Sequence, residues 1–357
     1  MNTLASRARR VYQVLQEELG GGYSVAFTGG AVGGLQRIVR LGQKVDELRF
    51  SELKNVPIDR PIVIAGLPRT GTTFLHRFLH SQKVGVGQEL WQQVYSSITI
   101  QQLVRPLLPH LERFSPARYH KSEIHKTGLR EVETDDTSLL LRYFDGFFVY
   151  GFFLAFAEDD LLSHFDPKIR DTNHRDFTYI RRCWQRSLLV NNHSRVLSKM
   201  FSLGASLPAF LTFFPDAKVI YTARDPTSVI PSTLSLLRSV LQQRFDFARL
   251  PKEKQNRYYQ RVSNSLIELM LRFHQVADTI PNKNLFVLPY RDLKNDFADT
   301  MERLAPFLEI DVDITAIREN SSQQKRYKSK HSYTLSEFGL SAEQIEQQCA
   351  FFERYWK

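Results

Sequence analysis

The stretch Pro61-Ile-Val-Ile-Ala-Gly-Leu-Pro-Arg-Thr-Gly-Thr-Thr-Phe-Leu-His76 holds the residues whose spacing most directly implies chemistry. It reads as a buried strand, a turn bounded by Gly66 and Gly71, and the first turn of an apolar helix. Such a turn gathers backbone N–H groups around one point and aims a helix N-terminus at it, which makes an anion site. The spacing from Gly66 to Gly71, followed by Thr72-Thr73, is close to that of a nucleotide P-loop. Thr72, however, stands where the P-loop lysine belongs, and the cation is Arg69, inside the loop. That displacement suits a phosphosulfate better than the β- and γ-phosphates of ATP with magnesium.

The elements that must position this loop alternate along the chain. Pro61 to Gly66 is apolar throughout, as expected of a parallel strand covered on both faces. Phe74, Leu75, Phe78 and Leu79 share one face of the helix after it. Buried-strand runs recur at 195–199, 217–223 and 284–290, with helical patterns at 203–214, 228–243, 258–280 and 297–308. The expected fold is α/β: a P-loop-like parallel sheet flanked by helices, with a mostly helical insertion over 90–195 after the first βα unit. Residues 1–60 form a preamble to a functional domain over 61–357. Within that preamble, 1–19 is expected to be a short helix and the glycine-rich run Gly20 to Gly34 a flexible connection.

In such a sheet, ligands sit outside the carboxyl ends of the strands. The loop 66–73, Lys199, Arg224-Asp-Pro226 and Tyr290-Arg-Asp-Leu293 all fall there. Asp225-Pro226 also has the form of a helix-starting turn. Arg224 just before it would bring a guanidinium into the same crevice as the loop.

Composition narrows the partners. The 357 residues are 42% apolar and carry a net charge of +10, a potential that draws in a small anionic substrate. No zinc-finger spacing, basic-region heptad or aromatic ribonucleoprotein motif accompanies that charge, so nucleic acid is not expected as a partner. Two cysteines, Cys183 and Cys349, are too few for a disulfide framework, and a reducing, cytoplasmic setting is expected. The longest apolar run, Phe147 to Ala157, is too short to span a bilayer, which leaves only peripheral membrane contact open.

These motifs together resemble the sulfotransferases that use 3′-phosphoadenosine 5′-phosphosulfate, most closely the bacterial members of the group that includes tyrosylprotein and carbohydrate sulfotransferases. Pro68-Arg-Thr-Gly-Thr-Thr73 matches the 5′-phosphosulfate loop of that family. Arg224 and Ser232, in Thr222-Ala-Arg-Asp-Pro-Thr-Ser-Val-Ile-Pro-Ser232, match its 3′-phosphate pair. Phe214 to Ile220 and the segment from Tyr327 to Leu340 are also similar to family sequences. The likeness runs from about residue 60 to the C-terminus.

The resemblance implies a role for each candidate residue. Arg69, Thr70, Gly71, Thr72 and Thr73 would bind the phosphosulfate, with Arg69 also stabilising the leaving phosphate oxygen. Lys199 is similar to a family lysine near the transferring sulfonate, and Tyr290 to a tyrosine near the nucleotide phosphates. Arg326 and Lys328, in a late basic run, would close over the 3′-phosphate. Glu89, in Gly87-Gln-Glu-Leu90, stands where related enzymes carry a catalytic glutamate that deprotonates the acceptor hydroxyl. His331 and the cluster Glu131, Glu133, Asp135 and Asp136 are rivals for the base. At least two of those four otherwise read as a solvated helix entry, and no metal is expected. The implied acceptor is a hydroxyl of a small molecule, lipid or carbohydrate, with the aromatic segment Tyr143 to Phe153 serving as pocket wall or as core. The competing functions are a P-loop nucleotide kinase and a non-catalytic nucleotide binder.

Overall fold

The computed structural model describes residues 3–20, 22–112, 128–318 and 333–357. Its strands are β1 (Ile62–Ala65), β2 (Leu197–Met200), β3 (Lys218–Ala223) and β4 (Leu285–Pro289). The helices that matter below are α1 (Leu4–Leu19), α2 (Gly22–Arg49), α3 (Thr72–Ser81), α4 (Leu90–Val94), α5 (Ile98–Val104), α6 (Asn173–Asn191), α7 (Pro226–Phe245), α8 (Lys252–Ala277) and α9 (Phe297–Leu308). Contacts divide the chain into two units. One comprises Met1–Pro57, Gln88–Asn192 and Leu236–Val262; the other comprises Ile58–Gly87, His193–Ser235 and Ser263–Lys357.

The second unit holds the sheet, in the order β2-β1-β3-β4 with every pairing parallel. All four residues of β1 are buried, which explains why the strand is apolar on both faces. Ile64 pairs with Lys199 on one side and Ile220 on the other, so β1 and β2 end level and β3 runs two residues beyond them. From β1 the chain passes to β2 at one edge and then to β3 on the far side of β1. The crevice between β1 and β3 is therefore a topological switch point, where open α/β sheets bind ligands.

One face of the sheet is covered by α3 and α9. Leu75, Phe78 and Leu79 of α3 and Phe297, Met301 and Leu304 of α9 pack on Ile62, Ile64, Leu197, Ile220 and Leu288. On β3, Tyr221 stacks on Phe273 of α8 with ring centroids 3.5 Å apart. The strand runs and the helix over 297–308 lie where the apolar pattern predicts; the helix expected over 203–214 begins with a 3-10 turn at Leu203–Ser206.

Among the described residues of the first unit, helices dominate. Helix α1 is capped by the Thr3 hydroxyl, which accepts from the Ser6 N–H at 3.1 Å, and ends at Gly20 in the left-handed conformation. The flexible connection expected from the glycine run is not found: α2 is helical from Gly22 onward. Each glycine inside a helix costs about 1 kcal/mol relative to alanine, but tertiary contacts farther along α2 outweigh that. Gly42 lies where a Cβ would collide with the side chains of Ile100 and Ser97. One turn on, the buried Asp46 pairs with Arg186 Nε of α6 at 3.0 Å and accepts the Ile98 and Thr99 N–H groups, capping α5. Burial pushes the Asp46 carboxyl upward, but the bonds from Thr99, Ser97 and Arg186 outweigh it and hold the group below its ordinary range.

In the aromatic segment, Phe147, Val149, Tyr150 and Gly151 are buried, and the Tyr258 hydroxyl donates to the Gly151 carbonyl at 2.7 Å. Cys183 and Cys349 are free and buried. No helix among the described residues is long and apolar enough to cross a membrane.

Candidate active site

The loop after β1 is held by the next strand. Gly66 has φ +121, and a Cβ there would collide with the Thr222 carbonyl and hydroxyl of β3. The Thr222 hydroxyl shares a 2.6 Å hydrogen bond with Thr70 Oγ1, while Thr70 Oγ1 donates to the Leu67 carbonyl at 2.7 Å. Arg69 adopts φ +70 at the tip, a left-handed conformation that a non-glycine residue holds only where its surroundings impose it. Gly71, φ +86, is the N-cap of α3, and a Cβ on it would lie 2.6 Å from Leu293 Cδ2 and 3.2 Å from the Tyr290 ring. The backbone N–H groups of the first turn of α3, from Thr72 on, have no partner within the helix and point out of its N-terminus.

Two guanidinium groups converge beside this loop. Arg69 Nε donates to Ser232 Oγ at 3.0 Å, and Arg224 Nη1 donates to the Arg69 carbonyl at 2.8 Å. Arg224 also lies 4.5 Å from the centroid of the Tyr290 ring. Neither arginine has a carboxylate partner among the described residues. Burial lowers the Arg224 pKa, and the Arg69 charge adds to that despite the opposing influence of Tyr290. Asp225 is engaged elsewhere: its carboxylate accepts from the Thr227 N–H and hydroxyl at 2.9 and 2.6 Å, capping α7. Asp225 still offsets part of the Arg224 charge through space, but it makes no ion pair with either guanidinium, so the crevice keeps an excess of positive charge.

Lys199 is fully buried on β2, with Nζ donating to Thr73 Oγ1 at 3.3 Å and lying 5.3 Å from the Phe201 ring. A lysine is almost never fully buried without partners, and these tie it to the first turn of α3. Below it, His76 is buried, with Nε2 3.4 Å from the Leu197 carbonyl and Nδ1 unpartnered. Burial and then the Lys199 charge push its pKa down to about 3, so the imidazole is neutral.

Glu89 belongs to the other unit. It is the N-cap of α4, its N–H donates to Gln92 Oε1 at 2.8 Å, and its Oε2 accepts from Trp91 Nε1 at 2.6 Å. The carboxylate remains half-buried, positioned by the indole. The acidic cluster departs from the solvated helix entry that its sequence suggests. Glu133, Asp135 and Asp136 are buried, leaving only Glu131 exposed. Asp135 accepts from Gln93 Nε2 at 3.1 Å and Trp184 Nε1 at 3.0 Å, which accounts for its burial. Among the described residues no group of acidic, histidine or cysteine side chains could hold a metal ion. Arg326, Lys328 and His331 lie outside the described residues.

The structure thus brings together Arg69, Thr70, Gly71, Thr72, Thr73, Lys199, Arg224, Ser232 and Tyr290 in one unit, around the carboxyl ends of its strands. Two contributors escape the sequence reading. Thr222 buttresses the loop, and His76 lies under Lys199. The only signals for them are a threonine near the end of a mostly apolar strand and a histidine on the apolar side of α3.

Comparison with known proteins identifies the family and the fold. A model described as the Sulfotransferase family matches residues 61–314. The crystal structure of sulfotransferase STF1 from Mycobacterium tuberculosis H37Rv superposes with a TM-score of 0.72 at 22% identity, covering 97% of this chain and 91% of that one. That of sulfotransferase STF9 from Mycobacterium avium gives 0.68 at 20% identity, covering 91% and 83%. At these identities the two structures speak to the fold. No curated protein matches the sequence. With the family model spanning most of the chain, from β1 past α9, the protein belongs to the sulfotransferase family and is a sulfotransferase enzyme.

Proposed function

We propose that the enzyme moves a sulfonate from 3′-phosphoadenosine 5′-phosphosulfate to an acceptor hydroxyl by direct in-line displacement. The observation that carries this reading is the pair Arg69 and Arg224, free of carboxylate partners, beside the N-terminus of α3 at the switch point. Clustered guanidinium groups repel, and a polyanion with two separate phosphate-like ends relieves that repulsion at both. When bound, the donor supplies the sulfonate on a phosphate leaving group. Backbone amides of Thr70 to Thr73, the Thr72 and Thr73 hydroxyls and Arg69 bind the 5′-phosphosulfate and stabilise charge on the leaving oxygen. Arg224 and Ser232 hold the 3′-phosphate, Tyr290 lies beside them, and Arg326 and Lys328 close over it. Lys199, anchored through Thr73, steadies the sulfonate. Glu89, oriented by Trp91, removes the proton from the acceptor hydroxyl. The acceptor is a small molecule, lipid or carbohydrate.

Calorimetric titration with 3′-phosphoadenosine 5′-phosphate, then ADP and ATP with and without magnesium, tests the donor. Binding of the 3′-phosphorylated nucleotide in preference to the others, and lost in Arg224→Ala, is the expected result. A preference for ATP with magnesium would return the loop to phosphoryl chemistry.

A further inference from the structure

Helix α2 has two sides of different fate. Val39, Gln43 and Asp46 are buried. Ile38, Leu41, Val45 and Leu48 are 53, 63, 40 and 85% exposed, an unusual degree for four large apolar residues on one helix. At about 100° per residue they fall within an arc of roughly 80° on the side away from the buried row, so they form a continuous stripe. Helix α5 packs on α2 through Ile100, which lies against Gly42, and it carries a further exposed apolar residue, Leu103, with Leu107 in the 3-10 turn that follows; the two are 66 and 52% exposed.

The rim of this patch is basic. Arg37 and Lys44 are exposed along one side of the stripe and Arg49 along the other, with Arg105 exposed between the two leucines. The two acids of α2 lie off the stripe, Asp46 paired with Arg186 at 3.0 Å and Glu47 3.7 Å from the same guanidinium. An amphipathic face of large aliphatic side chains bordered by lysine and arginine is the composition that lies in a membrane interface, with the apolar row among the acyl chains and the cations at anionic headgroups. Self-association is disfavoured by the same rim, because pairing two copies through this face would oppose their cations on molecules of net charge +10. We infer that the α2–α5 face docks the enzyme reversibly on an anionic lipid bilayer.

The full-length protein is mixed with vesicles of phosphatidylcholine alone and of phosphatidylcholine with phosphatidylglycerol, and the bound fraction is read by flotation. Oligomeric state is measured by light scattering. The expected result is binding to the phosphatidylglycerol vesicles only, weakened at least about tenfold in Leu41→Glu/Leu48→Glu and in Arg37→Glu/Lys44→Glu, with unchanged circular dichroism. The two double variants act through different forces, so a folding fault in one leaves the other to decide. No binding by the wild type, or equal binding by both variants, overturns the inference. A wild-type dimer that either variant makes monomeric also overturns it and identifies a second copy as the occupant.

Discussion

In the proposed mechanism Arg224 serves binding and Glu89 serves chemistry, and the two can be tested apart because each has its own local support. Arg224 is fixed by the Arg69 carbonyl and the Tyr290 ring. Removing it in Arg224→Ala deletes charge-assisted bonds worth about 1.5–3 kcal/mol, so 3′-phosphoadenosine 5′-phosphate should bind roughly 10- to 100-fold more weakly by calorimetry. ADP should change little, since it lacks the 3′-phosphate. Glu89→Gln is a clean probe of the base, because a glutamine oxygen still accepts from Trp91 Nε1. It should lower kcat by about 10²–10⁴ in a sulfotransfer assay while leaving the donor Kd unchanged. Unaltered kcat would assign Glu89 a purely structural cap. Gly71 tests the loop itself: with φ +86 and Leu293 against it, Gly71→Ala should cost about 1–3 kcal/mol in urea denaturation and weaken the same nucleotide.

At the scale of elements, the seams are polar groups buried between helices and strands. His76 is neutral in the fold with a pKa of about 3, against an ordinary 6.5. Between those values the unfolded chain binds the proton and the folded one does not, so stability falls as pH falls from about 6.5 toward 3. The slope from this group reaches about 1.4 kcal/mol per pH unit. Urea midpoints from pH 7 to pH 4 should therefore drop, and His76→Gln should flatten the trend. Asp46 joins α2, α5 and α6 at one carboxylate. Asp46→Ala leaves two helix N–H groups unpaired and the buried Arg186 with only the longer contact to Glu47 and two carbonyls, and should cost up to about 3–5 kcal/mol by the same measurement. These joints were opaque beforehand: an aspartate late in a glycine-rich helix looks like any surface acid until Arg186 and Thr99 lie against it.

For the molecule as a whole, the strand–loop–helix unit at 61–76 and the alternation of strands with helices were legible, because glycine spacing and apolar runs are local signals. The helical stretch before β2 was legible in kind but not in detail. The glycine run was misjudged because a propensity deficit of about 1 kcal/mol per glycine is a weak prior against tertiary packing. Likewise Glu133, Asp135 and Asp136 gave no sign of burial, which depends on Gln93 and Trp184 arriving from distant positions. The net charge of +10 is a property of the composition alone, and it predicts electrostatic steering. Stopped-flow association of 3′-phosphoadenosine 5′-phosphate should slow as ionic strength rises, with the dissociation rate changing less.

The sequence by itself determined that the chain carries a glycine-bounded loop with Arg69 inside it and Thr72 where a P-loop has its lysine, set at the end of a buried parallel strand. Those features follow from backbone conformation and side-chain type at fixed spacing. Only the tertiary structure decided that Thr222 buttresses the loop, that Arg224 is clamped to the Arg69 carbonyl, that Lys199 is buried against Thr73, and that α2 turns an apolar stripe outward. Burial and pairing depend on which distant segments meet, and no local pattern records that.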